Sequence, residues 1–164
     1  MAGITGTLTG VALDKLRAPA DGVNARIGAI THSDSTVTAL GIRSIAVLHA
    51  GADVIEKSGH AHYPGLLIYC DKLSNSLKEK FRRFSGRAHL VIEVRHSADR
   101  IDALDSNTQV YVDAVCALLD DSRGDWGGGT FYAGGYDVTY EPITRGGKNF
   151  LQRAKVGFDV EISR

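Results

Sequence analysis

The chain has 164 residues, 43% of them hydrophobic and 23% charged, enough to bury one core without disulfides or metals and too apolar for a disordered segment. Lys plus Arg equals Asp plus Glu at 19 each, so no global field draws it to nucleic acid or anionic lipid, and a dedicated DNA-binding module is not expected. No stretch approaches the roughly 20 apolar residues of a membrane span, and the N-terminus lacks a basic segment followed by an apolar run, so synthesis and assembly in the cytoplasm are expected.

In chain order, residues 4–18 carry Leu8, Val11, Ala12, Leu13 and Leu16 ahead of Pro19 and Gly22, which predicts a short amphipathic helix and its stop. From Val23 to Ala50 the apolar residues read as extended segments broken by a polar turn at residues 31–35. Pro64 and Gly65 open the continuous run from Leu66 to Cys70, whose length and flanks fit a strand buried on both faces. Ser76 and Glu79 have the spacing of a capping box, with Leu77, Phe81 and Phe84 on one helical face and Gly86 as terminator, predicting a helix over about 75–84. Between Ala88 and His96, Leu90, Ile92 and Val94 alternate with Val91, Glu93 and Arg95 as in a strand.

Ser97 or Asp99 can then cap a helix in which Ile101, Leu104, Thr108, Tyr111, Val115 and Leu118 recur at three- and four-residue intervals, ending near Asp120. The glycines at 124 and 127–129 break it. Tyr136, Val138 and Tyr140 alternate as a strand, and Ala154, Val156, Phe158, Val160 and Ile162 do the same at the C-terminus, the two pairing antiparallel across residues 142–149. The order predicts a single α+β domain, a mostly antiparallel sheet flanked by one long helix and one or two short ones.

Candidate chemistry is incomplete at each place it is sought. His60 and His62 would share one face of a strand and could start a metal-assisted hydrolase site with His49, Asp53 or Glu56, but no recognised metal spacing is present. Cys70 with His89 or His96 could form a nucleophile and base, yet Cys70 sits in the most apolar run of the chain, where a thiolate is disfavoured. Asp120, Asp121 and Asp125 supply hard oxygens without the other ligands of a calcium loop. No phosphate loop or serine elbow occurs, and neither cofactor nor metal is expected. Lys78, Lys80, Arg82, Arg83 and Arg87 form the one basic cluster, read either as the solvent face of the 75–84 helix or as a positive surface for DNA or an acidic neighbour.

The segment from Ser85 to Ser97, the helix from Ile101 to Leu119, the tyrosine-bearing strand and the ending from Gly157 to Ile162 together resemble the tail-terminator and neck proteins of tailed bacteriophages. The resemblance spans about residues 64–164 and is one of element order, without a catalytic motif. Residues 1–60 fit it less well and read as an added arm or a less typical subdomain. It implies a non-enzymatic virion protein, a ring of commonly six copies that ends tube growth at the head-proximal end of the tail. Its implied partners are other copies of itself, the tail tube protein and the head-side connector proteins, with no membrane and no sequence-specific nucleic acid. Another head-to-tail joining protein is the alternative within this class. Lys78, Lys80, Arg82, Arg83 and Arg87, with the glycine segments Gly127, Gly128, Gly129 and Arg145, Gly146, Gly147, are the candidate assembly contacts, the glycine segments being expected to order on contact.

Overall fold

The computed structural model of the chain describes residues 3–30, 37–51, 54, 55, 57 and 62–164. Among the described residues it is an α+β domain with three helices and an eight-stranded mixed sheet. The helices are α1 (Ile4–Arg17), α2 (Val23–Ala29) and α3 (Leu104–Asp121). The strands are β1 (Ile45–Val47), β2 (Gly65–Asn75), β3 (Ser85–Ala98), β4 (Gly124–Gly127), β5 (Thr130–Tyr132), β6 (Asp137–Tyr140), β7 (Thr144–Gly146) and β8 (Asn149–Ser163).

The sheet runs β1-β2-β3-β8-β5-β4, and β8 also pairs with β6 and β7 along the edge it presents to β5. β1 and β2 are parallel and every other pair is antiparallel. β8 has 15 residues, a span of roughly 50 Å. Three short strands tile one side of it, while β3 pairs with it from Ser85 opposite Ser163 to Ala98 opposite Phe150.

Register shows where the core sits. Leu66, Val94 and Ala154 lie side by side across β2, β3 and β8, as do Ile68, Ile92 and Val156, so alternate residues of three strands build one apolar face. The helices cover that face, and Leu8, Leu16, Val23, Tyr111, Val115 and Leu118 join the same core cluster. Helices α1 and α2 therefore pack into the core. Asn24 ties on the chain that follows, its amide donating to the Leu40 carbonyl at 2.8 Å and its Oδ1 accepting from Leu40 N at 2.7 Å.

Three predicted elements differ. Residues 23–29 are helical, not extended: the segment has only seven residues and no side-chain cap, so it carries no start signal, and Arg26 holds it to the end of α3 through the Ala117 carbonyl and Asp121. Residues 97–103 do not begin the long helix, because β3 continues to Ala98 and α3 starts at Leu104 with no side-chain cap. Ile101 is thereby left exposed. Residues 76–84 are no helix; they form the loop joining β2 to β3. The turn expected at 31–35 lies outside the described residues.

The alternation along β3 predicts one wet face, yet Val91, Glu93 and Arg95 are buried as well. The chain after β1 covers this second face: the Arg95 guanidinium donates to the Ala50 carbonyl, and the His49 ring stacks on Tyr69 with centroids 4.0 Å apart. Glu93 and Arg95, two apart on one strand, share a face and pair through Arg95 Nε at 2.9 Å. The Tyr69 hydroxyl on this face is pushed up to about 12, first by burial and then by the Glu93 carboxylate.

Candidate functional site

The predicted basic cluster occupies the far end of the β2–β3 hairpin. β1 pairs only with Leu66 to Ile68, so from Asp71 to Asn75 the outer edge of β2 carries no strand among the described residues, and these five residues are exposed. The tip is tied off by two short polar side chains. Asn75 Oδ1 accepts from Leu77 N at 3.3 Å and from Ser85 N at 3.0 Å, while Ser85 Oγ accepts from Glu79 N at 3.2 Å and its carbonyl accepts from Ser76 N at 3.0 Å.

These bonds explain why the capping-box spacing gives no helix. Ser76 and Glu79 bond to Ser85, across the loop, instead of to each other's backbone. An isolated ten-residue helix needs a packed apolar face, and strand pairing carried out to Asn75 and Gly86 leaves none within reach. Gly86, read as a helix stop, is instead a strand residue whose Cβ would stand 1.9 Å from the Ser74 carbonyl oxygen, a cross-strand approach only glycine permits.

The consequence is an apolar tip turned outward. Leu77 and Phe81 take left-handed backbone angles, φ 48° and 69°, and Phe81 is fully exposed. Around it Lys78, Lys80, Arg82 and Arg83 are all exposed. Arg82 lies 3.6 Å from Glu79 and Arg87 lies 3.7 Å from Asp159, pairs too wet to neutralise the cluster. Phe84, by contrast, turns inward against the core, and its backbone exchanges two hydrogen bonds with Arg164, fastening the chain end to the hairpin base.

The glycine segments divide. Gly127, Gly128 and Gly129 make the β4–β5 turn, with φ of 84°, 59° and 77°. The turn is already held: Gly129 O accepts from Ser163 N at 2.8 Å and Gly128 O accepts from Arg164 Nε at 2.7 Å. Gly129 shares a cleft of about 270 Å³ with Lys78, Arg87 and the exposed Phe131, so the structure brings this segment and the basic cluster together. Arg145, Gly146 and Gly147 lie elsewhere, in the β7–β8 turn beside Asn149 at the opposite end of β8. Phe131 and Leu73 join the exposed apolar surface at the hairpin end, and neither stands out in the sequence from its neighbours.

The chemistry sought elsewhere resolves differently. Cys70 Sγ donates to the Lys72 carbonyl, burial pushes its thiol up, and the ring of His89 turns instead to Asp71, 2.5 Å away. Burial also pushes His96 down. Cys116 is pushed up to about 11, chiefly by burial. Asp121 pairs with Arg26 at 2.6 Å, Asp120 accepts from the Tyr136 hydroxyl at 3.4 Å, and Asp125 accepts from Gly127 N, so the acidic residues at the end of α3 and just beyond it each serve a local contact. His62 borders a cleft of about 230 Å³ with Arg43, Leu48, Leu67 and Arg95, and His60 lies outside the described residues. Among the described residues no three His, Cys, Asp or Glu converge as metal ligands, and no helix is long and apolar enough to cross a membrane.

No protein-family model matches the chain, and no curated protein matches it.

Proposed function

We propose that the protein is a structural virion component of a tailed bacteriophage, a tail-terminator or neck subunit that forms a ring at the head-proximal end of the tail. The observation that carries this reading is the β2–β3 hairpin, which presents Leu77 and the fully exposed Phe81 amid four exposed cations. A phenylalanine gains about 1.5–3 kcal/mol on burial, and here the fold leaves that gain unrealised, which suits a surface completed by a neighbour. The element order supports the same reading, since it is the order on which the resemblance to tail terminators rests.

Such a subunit acts by geometry. A closed ring needs two different surfaces per subunit, with the rotation between neighbours returning to its start. The hairpin end and the opposite edge of the sheet, where β6 and β7 flank β8, are separate surfaces of this kind. Partners are other copies, the tube protein and the head-side connector, and no cofactor is required. The test is production of particles with the coding sequence inactivated: tubes of uncontrolled length and heads without joined tails are expected, whereas normal particles would overturn the reading.

A further inference from the structure

We infer that the ring contact is made by the basic, phenylalanine-tipped hairpin of one copy docking on the acidic outer face of α3 and the adjoining β6 of the next, an inference that rests on the ring reading above. The receiving face is built by helical spacing. Asp105, Asp113 and Asp120 recur on one exposed side of α3, and β6, which carries the nearly half-exposed Tyr140, adjoins it, Tyr136 just before the strand donating to Asp120 at 3.4 Å. Asp105 is held by neutral amides, its oxygens accepting from Gln109 Nε2 at 3.0 Å and Gln152 Nε2 at 2.8 Å, rather than by a cation.

The two surfaces match in chemistry. Residues 78–87 hold five cations and one carboxylate, while α3 holds four aspartates and no cation of its own, Asp121 pairing with Arg26 and Asp120 lying 3.9 Å from Arg123. In a chain of zero net charge, this separation favours a second copy over a uniformly charged partner such as DNA. Leu77 and Phe81 on one side meet Tyr140 and the partly buried Tyr136 and Val138 on the other, giving an apolar centre inside a charged rim. The geometry also prevents a chain from satisfying itself. The hairpin grows from β2 and β3, and the acidic face lies by β6 on the far side of β8, so each copy has one of each to offer to different neighbours.

The test uses tails assembled with a Phe81→Cys/Tyr140→Cys chain. Mild oxidation is expected to give a ladder of covalent oligomers up to the ring number, and each single variant is expected to give none. Independently, Arg82→Glu/Arg83→Glu and Asp105→Arg/Asp113→Arg should each lower ring occupancy on tail ends by on the order of tenfold or more, and combining the two in one chain should restore it. Circular dichroism on each purified variant separates lost docking from lost folding. A ring seen by microscopy without the ladder, or insensitive to both reversals, overturns this contact and leaves the ring reading standing; tail ends without any ring overturn both. Loss of duplex-DNA binding in Arg82→Glu/Arg83→Glu with the ring intact would assign the hairpin to nucleic acid and also overturn the contact.

Discussion

The inner and outer halves of the β2–β3 ribbon are continuous in backbone and opposite in environment. From Leu66 to Tyr69 and from Leu90 to Arg95, all but Leu67 are buried, helices on one face and the chain after β1 on the other. From Asp71 to Asn75 every residue of β2 is exposed, and the loop beyond carries a bare phenylalanine. Pairing with β3 runs on both sides of a register shift between Cys70 and Lys72, so the two halves meet where the ladder is interrupted at Asp71. The inner half stabilises the fold, and the outer half extends beyond it with both faces exposed.

Substitutions should sort along the same line. The largest effect is expected at the buried pair, where Arg95→Met leaves the Glu93 carboxylate buried and uncompensated, at a cost of about 3–5 kcal/mol read as a lowered denaturation midpoint. A double variant replacing both partners with apolar residues should recover most of that loss, which would separate the burial of charge from packing. Leu118→Ala, in the core stripe of α3, is expected to cost about 2–5 kcal/mol in the same measurement. Phe81→Ser should change stability by less than about 0.5 kcal/mol while impairing particle assembly. A large stability loss there would mean that the tip belongs to the fold after all.

The regions legible in the sequence are those whose periodicity survives into burial. Leu104, Thr108, Tyr111, Val115 and Leu118 recur at helical spacing and are all buried, and the alternation from Ala154 to Ile162 matches β8 residue by residue. The 75–84 segment fails for a physical reason that local spacing does not contain: Ser76 and Glu79 fit a capping box, but Asn75 and Ser85 sit where paired strands bring them together, and their bonds close a loop instead. The second covered face of β3 is likewise invisible locally, because its cover comes from residues more than forty positions earlier. At the candidate site, the basic cluster is legible as charge, and its apolar tip is misplaced, since Phe81 and Phe84 lie on one face only if the segment is a helix. The acidic face of α3 has readable spacing in Asp105, Asp113 and Asp120, but that β6 adjoins it follows only from the fold, which brings Tyr136 to Asp120.

On the proposed function, the outward half of the ribbon joins copies of this chain into a ring at the tail end. Electron-microscopic imaging of tail ends in intact particles tests it most directly. Rotationally symmetric density for this chain is expected at the neck, with the β2–β3 hairpin of each copy reaching its neighbour; a single asymmetric copy, or none, would overturn the ring.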